Sequence, residues 1–260
     1  MIFQPFSFIQ QVNSAAPWTP ANIATVMWFD ADDLSTITLQ SNVVTQWQDK
    51  SGNNRNATQG IMGRQPTYIT NVYNGKPTIR GDGTDDTMVI SPFSVSGGIR
   101  AYGVINQRFK NNQFGLNGDW LWMTNTTAIL PIYGANTNGG GWYSSFFSTG
   151  RPLIPSSSIP VDTLALAYIE QTGTALKARV FNYFAESSTS FEFNGSPVNR
   201  FQLWSNPAGF TANIDISEVI FIQSPTLDEQ QKIEGYLAWK WGLVNDLPAN
   251  HPYKNAPPTT

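Results

Sequence analysis

Cysteine is absent from this 260-residue chain, and charged side chains are scarce. Without cysteine the protein has neither disulfide bonds nor thiolate metal sites. Asp, Glu, Lys and Arg make up 13% of the residues, about half of the ~25% that is usual for soluble domains. Asn, Thr, Ser and Gln must therefore supply most of the polar surface, which favours an extracellular or virion protein over a cytosolic enzyme.

Two kinds of partner are disfavoured by further absences. The net charge is −3 and no basic patch occurs, so the electrostatic footprint of a nucleic-acid-binding protein is missing. No apolar run approaches the ~20 residues that span a bilayer. The apolar N-terminus has no Lys or Arg before Lys50, unlike a secretory signal. We therefore expect neither nucleic acid nor a membrane as a partner.

What the chain does contain is a series of short β-branched and aromatic runs separated by turn residues. Asn-Gly pairs, which favour tight hairpin turns, begin at positions 74, 117, 138 and 194. Strands are predicted at 26–30, 43–47, 101–106, 120–123 and 201–204, and as a hairpin formed by 164–169 and 176–184. Many short strands separated by turns predict an all-β fold, an antiparallel two-sheet sandwich or jelly roll.

One long helix is predicted near the C-terminus, at about 226–243. Thr226 followed by Glu229 forms a capping-box pattern, in which each side chain satisfies a backbone N–H of the other. Gly242 can end the helix in the left-handed conformation. The helix is charged in its first half and apolar in its second half, so we expect it to fasten onto the β domain.

Gly235 lies in the middle of this helix, where glycine costs about 1 kcal/mol relative to alanine. We therefore expect another part of the chain to approach the backbone there, with the β domain on one face of the helix and the tail on the other. On this interpretation Leu237→Asp unfolds the domain. Glu234→Ala, in the charged half, does not.

The chain is divided into an N-terminal arm at 1–20, one domain at 21–247 and an extended Pro-rich tail at 248–260. Chain termini are poorly held unless they are tied down. We therefore interpret the arm as an assembly surface that contacts other subunits. Its aromatic side chains are Phe3, Phe6 and Phe8.

Two separated stretches resemble one family. The N-terminal motifs are Trp28–Ile37, Gln46–Gly52, Asn56–Gln59, Arg64–Pro66, Asn74–Pro77 and Gly81–Asp86, and the C-terminal motifs are Ile216–Ile220 and Lys232–Leu243. Together they resemble the laminin-G-like, concanavalin A-like jelly-roll domains of bacterial surface proteins and phage structural proteins. The resemblance implies a two-sheet jelly roll with one C-terminal helix, in a group dominated by binding and assembly rather than catalysis.

The leading functional hypothesis is a non-enzymatic phage virion component of the capsid or tail, located on the particle surface. It would be a homo-oligomer with other virion proteins as partners. A carbohydrate-binding receptor module that recognises a host-surface glycan is the alternative, with a bacterial extracellular location as the alternative place. A glycoside hydrolase of the same fold is the third hypothesis.

The hydrolase hypothesis rests on one segment. Residues 213–218 partly match the strand motif Glu-x-Asp-x-x-Glu of glycosidases with this fold, but Asn213 occupies the nucleophile position. Retaining hydrolysis needs two carboxyl groups, one of which attacks the sugar, and an amide cannot do so. We therefore expect no catalytic residues, and we expect Asp215 and Glu218 to make polar contacts to the strand edge or the helix.

Two groups of carboxylates are candidate cation ligands: Asp30, Asp32 and Asp33, and Asp82, Asp85 and Asp86. Calcium takes six to eight oxygen ligands, many of them carboxylates. The same residues also form turn hydrogen bonds to backbone N–H groups. We expect no cofactor and keep calcium as the alternative for these groups.

Two short motifs are interpreted as structural. Arg80-Gly81-Asp82 spells an integrin-binding tripeptide, but it lies at a junction of strand and turn. His251 is the one histidine and lies between prolines in the tail, where we expect it to pack against the end of the helix.

Aromatic side chains are the candidate contacts to a glycan or to a partner, because aromatic rings stack on sugars. Buried core positions are the alternative, since most Trp residues of a sandwich are buried. The candidates are Trp120, Trp122, Trp142, Tyr143 and Trp239.

Overall fold

A computed structural model describes residues 15–95, 97–108, 162–180, 200–205 and 211–260. It also describes the backbones of the short strands at 119–124, 129–133, 141–144, 153–155, 183–188 and 197–198. The arm residues Phe3, Phe6 and Phe8 lie outside these ranges. Within the ranges, no helix combines the length and the apolar character needed to cross a membrane.

Among the described residues, the first layer of the fold is an antiparallel sheet of six strands. They are β1 (Thr25–Asp30), β9 (Ile99–Gln107), β14 (Leu164–Thr172), β15 (Ala175–Val180), β16 (Tyr183–Ser188) and β19 (Ile214–Gln223). Their order in the sheet is β16–β15–β14–β9–β19–β1.

The second layer is also antiparallel, and nine of its strands lie in the part of the chain that the structure describes. They are β2 (Ile37–Gln40), β3 (Val43–Trp47), β4 (Ala57–Thr58), β7 (Met88–Ile90), β10 (Asp119–Thr124), β11 (Ile129–Tyr133), β12 (Gly141–Ser144), β13 (Leu153–Pro155) and β18 (Arg200–Leu203). Their order is β2–β3–β4–β7–β18–β10–β11–β12–β13.

A hairpin connects the two layers. It consists of β5 (Thr67–Tyr73) and β6 (Lys76–Arg80), which pair with β3 and β19 respectively. A separate small pair is formed by β8 (Phe93–Ser94) and β17 (Pro197–Val198). Short 3₁₀ helices occupy Pro20–Asn22, Leu34–Thr36, Met62–Arg64 and Val244–Asp246.

Strand β19 is buried on both faces because its alternate side chains enter different cores. Val219 and Phe221 enter the inner core between the layers, where the ring of Phe221 lies 5.9 Å from that of Phe201 in β18. Ile220 and Ile222 enter a second core on the outer side of the first layer. Fully burying one such side chain stabilises the fold by about 1.5–3 kcal/mol.

The single α-helix of the described residues, α1 (Leu227–Trp241), closes this second core. The predicted caps are confirmed: Thr226 and Glu229 form the capping box, and Gly242 ends the helix with φ of 74°. The face buried against the sheet consists of Ile233, Leu237, Ala238 and Trp241. The all-β architecture with one C-terminal helix is thus as predicted; the finer jelly-roll topology stays a prediction.

The tail packs on the other side of α1, as the helical glycine predicted. A Cβ atom added to Gly235 would lie 2.6 Å from the Cβ of Tyr253. Further along, the ammonium of Lys254 donates to the carbonyls of Val244 and Leu247, at 2.7 and 2.9 Å. The tail is therefore held to the end of the helical region by hydrogen bonds as well as by packing.

The two ends of the described chain meet. Pro17 and Thr259 form an antiparallel bridge, and the N–H of Thr260 donates to the carbonyl of Ala16 at 3.0 Å. Trp18 follows directly; it is 4% exposed, and its ring lies 6.2 Å from that of Tyr236 on α1. Residues 15–18 are consequently fixed to the tail and the helix.

One expectation from the sequence is wrong. The strand predicted at 176–184 is two strands, because the register pairs Val180 with Tyr183 and the chain reverses between them. Glu234 belongs to the charged first half of the helix and is nevertheless only 7% exposed. The first layer presents arginines to that side of the helix, and these compensate the buried charge.

Candidate functional site

Glu218, one of the two candidate hydrolase carboxylates, is the centre of a polar cluster between β19 and α1. Its side chain has no exposed surface. It accepts hydrogen bonds from Trp28 Nε1 at 2.7 Å, Tyr236 OH at 3.0 Å and Trp241 Nε1 at 2.6 Å, and it lies 2.8 Å from Lys240 Nζ. Burial raises the pKa of Glu218, an effect that Lys240 partly offsets. With its lone pairs occupied, this carboxylate is positioned to hold the helix rather than to react.

The same cluster extends to the first predicted cation group. One carboxylate oxygen of Asp30 lies 2.5 Å from Nζ of Lys240, and the other lies 2.8 Å from Nζ of Lys50. Lys50 also lies 2.8 Å from Asp33. Desolvation lowers the pKa of Lys50, but Asp30 and Asp33 outweigh it and hold the pKa above its usual value. The ammonium groups of Lys50 and Lys240 therefore occupy the space next to Asp30 and Asp33 in which a metal ion would have to bind.

Asp215, the other candidate hydrolase residue, is also fully engaged. Arg80 donates from Nε to Oδ1 at 2.7 Å and from Nη2 to Oδ2 at 2.9 Å, and Tyr73 donates its hydroxyl at 2.5 Å. Burial raises the pKa of Asp215, and Arg80 and Tyr73 oppose that rise. The expectation that Asp215 and Glu218 make structural contacts is confirmed, and the arginine of the Arg-Gly-Asp motif is committed to one of them.

A second buried ionic cluster, which the sequence did not predict, lies under the middle of α1. Glu234 is 3.3 Å from Arg100 and 3.0 Å from Arg179, and Arg100 also donates to Glu170. Burial alone would raise the pKa of Glu234, but His251 and the two arginines outweigh it and hold the pKa below its ordinary value. Arg100 in an otherwise apolar strand was the one sequence signal for this cluster.

His251 belongs to the same cluster. Its Nε2 lies 3.6 Å from Glu234, and its side chain is 5% exposed. It therefore packs against the helix as expected, but at mid-helix and not at the last carbonyls. Lys254 bonds carbonyls after the helix end instead.

The second predicted cation group is the one whose geometry could hold a metal among the described residues. Single carboxylate oxygens of Asp82, Asp85 and Asp86 lie within 4.8 Å of one another. Asp82 accepts from the backbone N–H of Thr84 at 2.7 Å, and Asp86 accepts from that of Asp82 at 2.9 Å. Burial, together with the neighbouring carboxylates, raises the pKa of Asp86 to about 6. The expected turn hydrogen bonds are present, and calcium stays a prediction.

Four of the five aromatic candidates lie in strands that are described by their backbones alone. The register pairs Trp122 with Pro131, and Tyr143 with Tyr133. Because directly paired positions, and positions two apart on one strand, share a face of a sheet, positions 122 and 143 lie on one face. Position 142 lies on the opposite face, and position 120 falls at a register shift.

The fifth candidate, Trp239, is partly covered by the tail. Its indole donates to the carbonyl of Tyr253 at 2.9 Å, and 39% of the residue is exposed. It remains a candidate contact.

The outer face of the second layer carries a continuous line of register partners that runs across six strands. We call it the outer row; its members are Thr38, Gln46, Thr58, Val89, Gln202 and Trp122. The residues next to them along the strands, such as Trp47, Ala57, Ile90 and Phe201, are buried in the inner core.

Exposure confirms that part of this face is open. Thr38 and Thr58 are exposed, Gln46 is half-buried and Val89 is 36% exposed. Gln202 is buried; its Nε2 donates to Thr87 and Ser205 at 3.3 Å each, while its Oε1 has no partner in the part of the chain that the structure describes. Sequence reasoning missed the row because it depends on the strand order.

Comparisons with known proteins show that this chain is similar to solved structures in fold. No family profile matches the chain, and no curated protein matches it in sequence. A Trypanosoma rangeli sialidase aligns with a TM-score of 0.57 at 10% identity, over 88% of this chain and 37% of the sialidase. A GH54 α-L-arabinofuranosidase aligns with a TM-score of 0.52 at 14% identity, over 74% of this chain and 50% of the arabinofuranosidase.

A third structure is close in length. It is domain 4 of a GH43 extracellular arabinanase from Geobacillus stearothermophilus, in complex with arabinotriose; the TM-score is 0.50 at 14% identity, over 76% of this chain and 92% of the domain. These three likenesses concern the fold alone: each protein contains a β-rich domain that aligns with this chain at 10–14% identity. The phage and laminin-G resemblance rests on the sequence motifs alone.

Proposed function

We propose that this chain is a non-catalytic glycan-binding module of a virion or of another extracellular protein. The observation that carries the proposal is the open face of the second layer, where the exposed members of the outer row offer hydroxyl, amide and aliphatic groups. Sugars are bound by such groups together with aromatic rings, and Trp122 continues the row. The two carboxylates that resembled a hydrolase site, Asp215 and Glu218, are both committed to structural partners.

The arabinanase domain supports this proposal by its size as well as its fold. It is a separate domain, it was solved with arabinotriose, and 92% of its length aligns with this chain. The sialidase and the arabinofuranosidase are longer proteins: this chain spans 37% of the sialidase and 50% of the arabinofuranosidase. Arabinose-containing oligosaccharides are therefore the first ligands to test.

A glycan array probed with the full chain tests the proposal. We expect reproducible binding that is lost or strongly reduced in Trp122→Ala and Tyr143→Ala, because these positions share a face. Tyr183→Ala, at an exposed position of the first layer, is the matched comparison. The folded state of each variant is checked by circular dichroism and melting. Silence of the wild-type chain across the array would contradict the proposal.

Virion assembly is the second candidate function, in line with the sequence resemblance and with a jelly-roll topology. One observation favours it: residues 15–18, which belong to the arm, are held against the tail and α1, so the arm is anchored to the domain. We propose that Phe3, Phe6 and Phe8 contact a neighbouring subunit in a homo-oligomer or another virion protein.

Light scattering on the full chain tests this second candidate. The wild type is expected to be an oligomer, and the triple variant Phe3→Ser, Phe6→Ser, Phe8→Ser a monomer with an unchanged melting temperature. A wild-type monomer that also has no place in a particle reconstruction would contradict the assembly function while leaving glycan binding open.

A further inference from the structure

The outer row has a definite length and direction. It crosses β2, β3, β4, β7, β18 and β10 at right angles to the strands, one residue per strand. Neighbouring strands are about 4.8 Å apart, so five spacings give a line of about 24 Å. This is an elongated surface, longer than a single sugar.

The chemistry of the row is uncharged throughout. Thr38 and Thr58 provide hydroxyl groups, Gln46 and Gln202 provide amides, and Val89 provides an apolar contact at the centre. Hydroxyls and amides both donate and accept hydrogen bonds, as sugar hydroxyls do. A charged ligand would find no counter-ion among these six residues, so charge complementarity favours a neutral one.

The row also contains an unfilled acceptor. Gln202 is 4% exposed, and its Oε1 lacks a hydrogen-bond partner among the residues that the structure describes. A buried acceptor left unpaired costs about 1–3 kcal/mol. A hydroxyl donor that reached this acceptor would remove that cost.

From these observations we infer that the outer row binds an extended, uncharged glycan chain that lies across the strands. The inference rests on the proposed glycan-binding function and specifies the ligand class and its orientation. The strands β2, β3, β4 and β7 each offer one exposed or half-buried member of the row to the ligand, and position 122 lies at the end of the row opposite to Thr38. Affinity is therefore expected to grow with the length of the oligosaccharide until the row is covered, and to stay constant beyond that length.

Calorimetric titration of the full chain tests the inference. The probes are linear neutral arabino- and gluco-oligosaccharides, from disaccharides to octasaccharides, with polygalacturonate as the charged probe. Thr58→Val and Gln46→Ala are each expected to weaken binding of the longest neutral probe about fivefold, the equivalent of one hydrogen bond. The matched control is Thr70→Val, the same substitution at an exposed strand position outside the row, and we expect it to bind like the wild type.

Each outcome discriminates. Wild-type affinity in both row variants, or tighter binding of polygalacturonate than of any neutral probe, overturns the inference. If glycan binding is lost in Tyr143→Ala and kept in Thr58→Val and Gln46→Ala, the proposed function stands and the row is not its site. If the wild type binds no glycan at all, both fail. Melting temperatures within two degrees of wild type show that a loss of binding is not a loss of folding.

Discussion

The indole of Trp241 donates a 2.6 Å hydrogen bond to Glu218, a carboxylate with no exposed surface. This bond joins the last turn of α1 to strand β19, which lies between β9 and β1 in the first layer. Trp28 on the neighbouring strand β1 donates to the other oxygen of the same carboxylate at 2.7 Å. One buried charge thus ties together the helix and two strands, in a place where a hydrolase would need it free.

Glu218→Gln is expected to destabilise the domain by about 3–5 kcal/mol, because it leaves the ammonium of Lys240 with Asp30 as its one remaining carboxylate partner and turns an amide N–H₂ towards donors. Urea unfolding followed by tryptophan fluorescence measures the change. Asp228→Asn is the control, since that exposed side chain pairs only along the helix surface with Lys232, and it should alter stability by less than about 0.5 kcal/mol. A Glu218→Gln variant as stable as the control would contradict this account.

Gly235→Ala should destabilise the protein, although alanine is intrinsically better in a helix by about 1 kcal/mol. The new Cβ would lie 2.6 Å from the Cβ of Tyr253. In a Tyr253→Gly background that obstacle is gone, and the same substitution should become stabilising. Thermal unfolding of the four proteins of this double-mutant cycle shows whether Gly235→Ala stabilises or destabilises the protein in each background. The same sign in both would rule out the tail as the cause.

Leu237→Asp is expected to leave no folded domain, because Leu237 is fully buried between α1 and the first layer. An unpaired carboxylate in that core would cost far more than the loss of the leucine alone. The measurement is the solubility and melting of the purified chain, with the exposed helix residue Leu227, changed to Asp, as the control. A soluble Leu237→Asp variant with a cooperative transition would show that the helix is not needed for folding.

Glu234→Ala, harmless on the sequence interpretation, is now expected to destabilise the domain by about 3 kcal/mol or more, because Arg100 and Arg179 lose a buried partner. The pH dependence of the unfolding free energy is an independent test of the role of Glu234. The pKa of Glu234 is held below its ordinary value, so its stabilisation is present above that ordinary value and is lost as pH falls through the lowered pKa. Unfolding free energies measured towards acid pH should fall less steeply in the variant than in the wild type.

Asp86 should make the unfolding free energy change with pH in the opposite direction. Its pKa is raised from 3.8 to about 6, so between these values the folded state binds more protons than the unfolded state. Stability therefore decreases as pH rises through this window and then levels off. Asp86→Asn keeps an acceptor for the N–H of Asp82 and should abolish this decrease, giving a higher melting temperature at neutral pH.

Added calcium gives a second readout at the same site. If Asp82, Asp85 and Asp86 bind it, calcium raises the melting temperature of the wild type at neutral pH and has less effect on Asp86→Asn. Equal melting curves with calcium and with chelator would count against the cation prediction.

The sequence predicted best where local chemistry decides the structure. The capping box of Thr226 and Glu229 and the left-handed Gly242 are local patterns, and each fixes a helix end whatever the fold around it. Gly235 predicted the approach of another segment because a helical glycine is unfavourable on its own.

The failures occurred where the answer depends on partners far away in the chain. Nothing within α1 distinguishes Glu234 from its exposed neighbours; Arg100 and Arg179 on two strands of the first layer decide its burial. The outer row has the same origin, since its members come from six strands whose order no local pattern reveals. For Asp215 and Glu218 the sequence did predict structural contacts, because Asn213 occupies the nucleophile position, but it could not name the partners, which lie on other strands and on α1.

The pairing of Ala16 with Thr260 has a mechanical consequence. If both ends of the chain are attached to something else, a pulling force first reaches this short bridge, whose hydrogen bonds would open one after another as in a zipper. Trp18 and the tail would then peel away from α1 before any strand of either layer bears the load. The domain can therefore be pulled at its root while the face that carries the outer row keeps its shape.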